Sequence, residues 1–449
     1  MKIRIIILFL LSVICSEVRA QERKVWTLEQ LVQYGISNSP LIKIAGMKTE
    51  EAGYKIQEIK SKQLPQLNGS ANLQNTFMNM RLKIPAAMVE QIPDQYMSII
   101  QAIENIDKLY GLSGGLQLSQ ILFNSQLRIG IQSARTAEEL NRLSGNIEKE
   151  SLIYEIASNY YQVLLNQSQM DVIESNLQNL KQVEDNAALL YKNDMGKKTD
   201  LDRIKVNITN LQTQRTKLSN GIKMQLNYLK VLTGMPIDNN LDIDRKDIDR
   251  INQIAEKDLS VFSPEQRTEY QALLSQKKLA ELDHKNDKAA YQPTLAAFGQ
   301  MNYQSYNTKF SFNQWNGTKV IGLSLSIPIY DGGEKRYKIK QANSKINQLQ
   351  EEIKQKTNMM EIEYRDAVEQ LKTNYEALKA QEANKKLAAD VYHQTELLYK
   401  EGMATLTDLL NAEVSLREAQ NAYNQHVLDF KVANLNLLKA QGKLDTIIQ

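Results

Sequence analysis

Cysteine is almost absent from the sequence: the one copy, Cys15, sits in the first twenty residues. Those residues read as a secretory leader. Lys2 and Arg4 charge its start, Ile5 to Ile14 form an apolar run, and Val18-Arg19-Ala20 is a small-residue exit before Gln21. Cleavage after Ala20 leaves no thiol, which excludes disulfides and cysteine chemistry from the mature chain. Cys15 also admits a lipid-anchored reading, against which stands the bulky Ile14 immediately before it. Past the leader there is no apolar run near the roughly 20 residues that a membrane-spanning helix needs. The mature chain is therefore soluble, or it crosses a membrane as strands. A charge excess is lacking too. The formal net charge of +3 falls to +1 when Lys2, Arg4, Arg19 and Glu17 leave, which gives no electrostatic case for nucleic acid.

Catalytic residue types are sparse and scattered. His284, His393 and His426 lie far apart, and no His or Cys cluster has metal-ligand spacing. His426 falls on a heptad seam, where a packed or lumen-facing role fits better than ligation. Gly332-Gly333 is followed by no Gly-Lys-Thr or Gly-Lys-Ser, so it is a turn and not a phosphate loop. Glu351-Glu352 lies on a solvated helix. Nothing here calls for an enzyme or a cofactor.

What is present is an internal repeat. Leu189-Leu190-Tyr191-Lys192 recurs as Leu397-Leu398-Tyr399-Lys400, 208 positions later. The same offset lays Thr199-Asp200-Leu201 on Thr407-Asp408-Leu409 and Gly234 on Gly442. Upstream, Leu116-Gln117-Leu118-Ser119 and Phe123-Asn124 match Leu323-Ser324-Leu325-Ser326 and Tyr330-Asp331 at offset 207, and Pro65 and Leu67 match Pro293 and Leu295 at 228. The change of offset puts about twenty extra residues in the first half, between those two points. The chain thus divides into a leader (1–20), a first repeat (21–234), a linker (235–262) rich in Asp and Lys and read as an equatorial collar, and a second repeat (263–449).

Each repeat reads as the same order of elements. A helix comes first, Thr27 to Leu64 and then Pro264 to Gln292, stopped by Pro65 and Pro293. Two strand-like runs follow: 66–74 and 112–123 in the first half, 294–303 and 319–330 in the second. Leu323 to Ile327 alternates apolar and polar, the period of a strand with two unlike faces. Runs of roughly 9–11 residues suit tilted membrane-spanning strands. Nearby aromatics such as Phe77, Phe298, Tyr303 and Trp315 suit interfacial girdles. A soluble sheet with an aromatic core fits these runs equally well. The long connection from Asn75 to Gly111, partly helical over Met88 to Tyr110, reads as an exposed extracellular flap.

Proline is missing from 126–192 and from 334–400, 67 residues each. At about 1.5 Å per residue each stretch makes a helix of roughly 100 Å, which places each hairpin turn about 100 Å from its strands. Heptads support coiled-coil packing: Leu409, Leu416, Tyr423, Phe430 and Leu437 form one row, and Ala412, Ala419, His426 and Ala433 a second. Ile339, Ile346, Ile353, Met360 and Ala367 repeat likewise, as do Ile156, Val163, Met170 and Leu177, and Ile204, Leu211 and Leu218. Short turns join the paired helices at 193–199 and 400–406. Gly196 and Gly402 are expected to end helices in the left-handed conformation, with Thr199 or Thr405 capping the next.

With this pattern complete, the chain resembles the outer-membrane efflux family of TolC-like channels. The run from Tyr399 to Glu413 (Tyr-x-x-Gly-Met-Ala-Thr-Leu-Thr-Asp-Leu-Leu-Asn-Ala-Glu), its weaker copy from Tyr191 to Val206, and the Tyr330-Asp331-Gly332-Gly333 turn carry the likeness. The resemblance implies a mainly α fold with a small transmembrane β part. In it a duplicated strand pair plus long helical hairpins assembles as a homotrimeric α/β barrel tunnel in outer-membrane lipid. It implies the outer-membrane component of a tripartite efflux or type I secretion system, docked to a periplasmic adaptor and through it to an inner-membrane pump. It makes Asp200 and Asp408 acidic gate positions and Tyr399 a gating tyrosine. Asn411 stands where relatives often carry a second aspartate, and Ala404 where some carry a latching arginine, so the ring is weaker in charge and another latch is needed, with Lys197, Lys198 or Arg203 as candidates. It makes the tips adaptor contacts: Met195, Gly196, Lys197 and Lys198 in the first hairpin, Gly402, Met403, Ala404 and Thr405 in the second. The competing reading of Asp200 and Asp408 is helix N-terminal stabilisation alone. The competing readings of the whole are a periplasmic coiled coil without a pore, and an adaptor, which would have one hairpin and more strands.

Overall fold

The structure is a computed structural model that describes residues 25–80, 93, 106–245 and 262–448. The leader with Cys15, most of the proposed flap, and 246–261 of the proposed collar lie outside the described residues. The chain folds into two compact units. One holds residues up to Thr49, Leu140–Leu274 and Glu351 onward; the other holds Glu50–Glu139 and Ser275–Gln350.

The second unit is built on a four-stranded antiparallel sheet in the order β2-β3-β5-β6, with β2 at Gln66–Met80, β3 at Ile106–Phe123, β5 at Thr294–Asn307 and β6 at Asn316–Ser326. The two halves of the chain meet where β3 pairs with β5, Leu116 opposite Met301. Three strands run longer than the sequence indicates, because Thr76 and Phe77 continue the ladder opposite Leu109 and Lys108, and Tyr306 and Asn307 continue it opposite Gly111 and Tyr110. The expected connection from Asn75 to Gly111 is therefore strand at both ends. β6 is shifted instead: it begins at Asn316 and stops at Ser326, short of the expected Tyr330, because Pro328 has no N–H to donate. The turns that lead from strand into long helix share one device. Asn124 Oδ1 accepts from Leu127 N at 3.0 Å, and the carboxylate of Asp331 accepts from Gly333 N and Lys335 N, each at 3.0 Å. Both side chains satisfy amides that have no partner within the first helical turn.

The helices of the first unit pack along the heptad rows. α1 (Leu28–Asn38) starts from a capping box of Thr27 and Gln30. The expected single helix to Leu64 is broken into α1 and α2 (Pro40–Ser61), since Ser39, preceding Pro40, is held extended at ψ 131°. Its counterpart is a short 3-10 turn at Pro264–Gln266 and α5 (Thr268–Ala289). The two hairpins are α3 (Ser125–Lys192) with α4 (Lys198–Thr233), and α6 (Glu334–Lys400) with α7 (Leu406–Ala440). Ile156, Val163 and Leu164 of α3 are buried with Leu31, Val32, Leu229 and Leu435 in one core cluster. Leu177 and Leu180 meet Ile204, Ile208 and Leu211 in a second, and Ala367 and Leu371 meet Phe430, Ala433 and Leu437 in a third. A two-stranded parallel ribbon, β1 (Val25–Trp26) on β4 (Asp242–Ile243), is pinned to α3 by Tyr160. This fully buried tyrosine donates its hydroxyl to Asp244 O at 3.1 Å, with Trp26 O at 3.4 Å.

Both hairpins end the same way. Gly234 at φ 74° and Gly442 at φ 69° turn the chain out of α4 and α7. Met235 N returns to Lys230 O and Lys443 N to Leu438 O, each at 2.8 Å, the six-residue closure of a left-handed helix stop. A Cβ on Gly234 would lie 2.6 Å from Asn38 O, and one on Gly442 2.6 Å from Gln266 O. Each glycine thus lets the end of its hairpin touch the backbone near the first helix of its own half. Gly402 shares the left-handed φ, at 73°, with open space around it. Gly402→Ala is expected to destabilise by about 1 kcal/mol, the cost of the left-handed conformation alone. Gly234→Ala is expected to cost more, since a backbone carbonyl must also move. Denaturant unfolding of both variants in detergent, followed by helical circular dichroism, checks the ranking.

Candidate functional site

The hairpin turns gather the residues singled out by the sequence. In both, the helix closes with the six-residue bond: Met195 N to Leu190 O at 2.9 Å, and Met403 N to Leu398 O at 2.8 Å. The left-handed residues are Asp194 (φ 58°) and Gly402 (φ 73°), not Gly196 and Gly402. Aspartate tolerates this region better than most side chains. Gly196 sits instead where the chain is crowded, since a Cβ there would lie 3.0 Å from Tyr191 N. Met195 is 76% exposed and Met403 70%, and Lys197 and Lys198 are exposed beside the first, so each tip presents a thioether to its surroundings.

The two turns differ at the start of the returning helix. Thr405 caps α7 with a full box: Asp408 N donates to Thr405 Oγ1 at 3.2 Å, while Asp408 Oδ2 accepts from Thr405 N at 3.0 Å and from Thr405 Oγ1 at 2.6 Å. These bonds hold the exposed Asp408 carboxyl below the usual carboxylate range. Thr199 does not cap α4. Lys197 occupies the cap position and makes no side-chain bond there, which leaves Thr199 inside the first turn. Asp408 therefore does serve its helix N-terminus, through Oδ2.

Asp200 lies half-buried in the first turn of α4. Tyr399, at the end of α6, packs against the cluster of Ile204, Ile208 and Leu406. Burial raises the Tyr399 phenol, and the charge of Asp200 raises it further. The first hairpin's acid thus faces the second hairpin's tyrosine. Beside them Arg203 Nη1 donates to Thr407 Oγ1 at 3.2 Å, a bond from α4 to α7. Of the three cations named as latch candidates, Arg203 is the one that reaches the other hairpin. Asn411 is exposed one turn beyond Asp408, where its carbonyl accepts from Ser415 Oγ at 2.9 Å.

One further residue is conspicuous only in the structure. Glu413, the last residue of the Tyr399–Glu413 run, is 4% exposed, and its Oε1 has no hydrogen-bond partner. Burial raises its carboxyl, against Arg417 at 3.9 Å. Its heptad neighbour Ala412 signals a seam, but nothing in the spacing distinguishes a buried glutamate from the solvated ones around it. Among the described residues no three His, Cys, Asp or Glu side chains are placed to share a metal, and no helix is long and apolar enough to cross a membrane.

Known proteins share part of this sequence and its fold. Residues 268–443 match the family model described as outer membrane efflux protein. The outer membrane protein TolC of Escherichia coli is 22% identical over 93% of this chain and 82% of its own length. The alkaline protease secretion protein AprF of Pseudomonas aeruginosa is 22% identical over 74% of this chain and 69% of its own. Among solved structures, the open state of the Neisseria gonorrhoeae MtrE outer membrane channel superposes with a TM-score of 0.72 at 17% identity, covering 94% of this chain and 90% of that one.

The two returning helices are expected to fray differently. Asp408→Ala removes the acceptor of the Thr405 amide, so that amide should exchange with deuterium several-fold faster at neutral pH; Lys197→Ala should leave the start of α4 unchanged. The sign with pH follows from the depressed carboxyl: the cap is intact above the usual carboxylate range and is lost as pH falls through the lower folded value. Equal exchange in the Asp408→Ala and parent proteins would contradict the cap.

Proposed function

We propose that this chain, which resembles the outer-membrane efflux proteins in the sequence of its second half and in fold along nearly its whole length, is the outer-membrane exit duct of a tripartite efflux or type I secretion system. The observation that carries this reading is the sheet. Its apolar face is open in the single chain, with Ile321 92% and Leu67 66% exposed, and Leu73, Leu323 and Leu325 are exposed on that same face. Its outer strands, β2 and β6, each pair on one side only among the described residues. In lipid an unpaired edge strands several backbone N–H and C=O groups without partners, at several kcal/mol each. Copies of the chain joined edge to edge, β6 of one against β2 of the next, remove every edge, and a homotrimer supplies enough strands to close a barrel.

In this reading the two repeats, 21–234 and 263–449, each give a strand pair and a hairpin, and the 235–262 linker joins them as part of a collar around the helices. The duct is passive: a periplasmic adaptor docks on the tips at Met195–Lys198 and Gly402–Thr405, and an inner-membrane pump delivers the cargo. Asp200, Asp408 and Asn411 form the polar ring at the entrance, with Oδ1 of Asp408 left to face the passage while Oδ2 serves the cap. Arg203 with Thr407, and Tyr399 beside Asp200, hold the two hairpins of a protomer together and so keep the entrance narrow.

The purified protein is expected to run as a trimer in mild detergent and to conduct ions across a planar bilayer; a monomer without conductance would sink the proposal. In the same assay Arg203→Ala should raise the open fraction. Loss of one hydrogen bond from a charged donor, about 1.5 kcal/mol, shifts a two-state balance roughly tenfold. Thr407→Val, which removes only the acceptor, should act in the same direction, and unchanged conductance in both variants would remove the latch.

A further inference from the structure

Alternation and register assign each strand residue to one face of the sheet. On the apolar face, β3 presents an unbroken apolar run from Leu118 to Tyr110, β5 one from Leu295 to Tyr303, and β6 one from Leu325 to Ile321. Tyrosine closes two of the three runs, and tyrosine suits a boundary between hydrocarbon and water. Beyond each run, at the end of the sheet away from α3 and α6, comes a lysine: Lys108 on β3, Lys319 on β6, and Lys309 just past β5. Lys108 and Lys319 fall on the apolar face, opposite Phe77 and Met301, and they are the two charged side chains of 66–77, 108–123, 294–307 and 316–326. Asp107, next to Lys108 in β3, occupies a position of the other face. All three lysines are exposed, and no ion pair joins any of them to a carboxylate among the described residues. The ammonium of Lys108 lies 5.7 Å from the centre of the Phe77 ring.

A cation on a lipid-facing surface is costly unless it reaches a headgroup, and a lysine does so by laying its stem on apolar surface while the ammonium extends outward. Cations at one end of the face alone fit a leaflet whose headgroups are anionic. Their spacing narrows the lipid. Lys319 is level with Met301 and Leu116, and Lys108 lies eight positions further along β3. At about 3.3 Å per residue and a tilt near 45°, that is roughly 20 Å of depth. The headgroup zone of a simple phospholipid is about 5–8 Å deep, so one layer of phosphates does not reach both lysines. A headgroup of several phosphorylated sugars does. We propose that Lys108, Lys309 and Lys319 form a site on the outside of the sheet for the phosphates of a glycolipid in the leaflet at the loop end. The inference rests on the channel reading above and adds the lipid that surrounds one end of the barrel.

The full-length protein in neutral detergent, offered bisphosphorylated lipid A and phosphatidylglycerol in equal amounts, tests it, with the lipid held per trimer counted by native mass spectrometry. The parent should retain lipid A in preference, and added salt should weaken the retention. Replacing all three lysines by glutamine (K108Q, K309Q and K319Q together) should lower the affinity for lipid A by at least about tenfold. Replacing all three by arginine should keep it, and Lys345→Gln, on α6, should leave it unchanged. Where the triple glutamine variant does not assemble, the single variants, each about fivefold weaker than the parent, give the same reading. Equal retention of lipid A by the parent and the glutamine variants would overturn the proposal. Equal retention of phosphatidylglycerol by the parent, or displacement of lipid A by millimolar inorganic phosphate, would overturn the assignment to a glycolipid. In each of these cases a trimer that still conducts ions leaves the channel reading standing, whereas a parent protein without trimer or conductance sinks both.

Discussion

The backbone hydrogen bonds at the two outer strands constrain everything else in this molecule. A sheet that exposes Ile321, Leu323 and Leu325 on one face has no stable place in water, and one with two open edges has none in lipid. In the proposed assembly, association of copies would resolve both conflicts at once, because the edge of one chain would satisfy the edge of the next while the apolar face turned to hydrocarbon. Within the sheet, glycines let the strands and rings lie close: Gly111 beneath Tyr306, Gly317 beneath Tyr303, and Gly322 beneath Phe298.

The helical unit meets a different constraint. Long helices of low mean apolarity are held by narrow seams, and the seams survive where small residues let helices approach. Ala412, Ala419 and Ala433 are all buried, while His426 on the same row is not fully so, and its Nδ1 makes no hydrogen bond, with Asp429 Oδ2 3.8 Å away. The ends of the hairpins are more tightly specified than their middles. At both ends the chain reverses through one left-handed residue and one six-residue bond, at matching positions of the two halves. Between the halves, Asp194 replaces Gly402 and an uncapped Lys197 replaces the Thr405 box. The two tips share a backbone path and differ in chemistry, so a partner engaging both meets a lysine-bearing tip and a small, capped one.

Most of the helical architecture was readable from the sequence because its signals are negative and long-range. The absence of proline from 334–400 marks α6 to the residue, and α3 to within one residue at its start. The heptad rows named the buried seams for the same reason: burial recurs every seven residues over several turns, and a long pattern averages out local accidents. Signals that depend on one residue's local geometry were weaker. Ser39 before Pro40 broke a helix that periodicity alone runs through, and Pro328 ended a strand that alternation alone extends. Strand ends depended on pairing partners distant in sequence, which no local pattern records. The site was readable as a place, not as a set of contacts. The repeat located both tips, but the choice of Asp194 over Gly196 for the left-handed turn, the bond from Arg203 to Thr407, and the burial of Glu413 are matters of backbone geometry and packing that residue spacing does not record.

The distribution of charge suits the proposed passive duct. Selection by sign is effective where a passage is narrow and solutes shed part of their water, because a fixed charge is then poorly screened; in a wide, wet segment the same charge is screened within about 8 Å at physiological salt. The hairpin turns carry the acids Asp200 and Asp408 with Arg203 and the phenol of Tyr399 close by. The polar face of the sheet carries Asn, Gln, Ser and Thr side chains together with Phe298, Tyr306 and Val320, and no charge over 66–77, 108–123, 294–307 and 316–326. A fixed charge on that face would also cost the barrel something during insertion, since every polar-face residue must pass through, or assemble within, a medium that penalises isolated charge. Amides carry a smaller penalty and still hold water. In the proposed barrel such a composition would ease assembly in lipid, while fixed charge would be better tolerated at the turns, where water is available during folding.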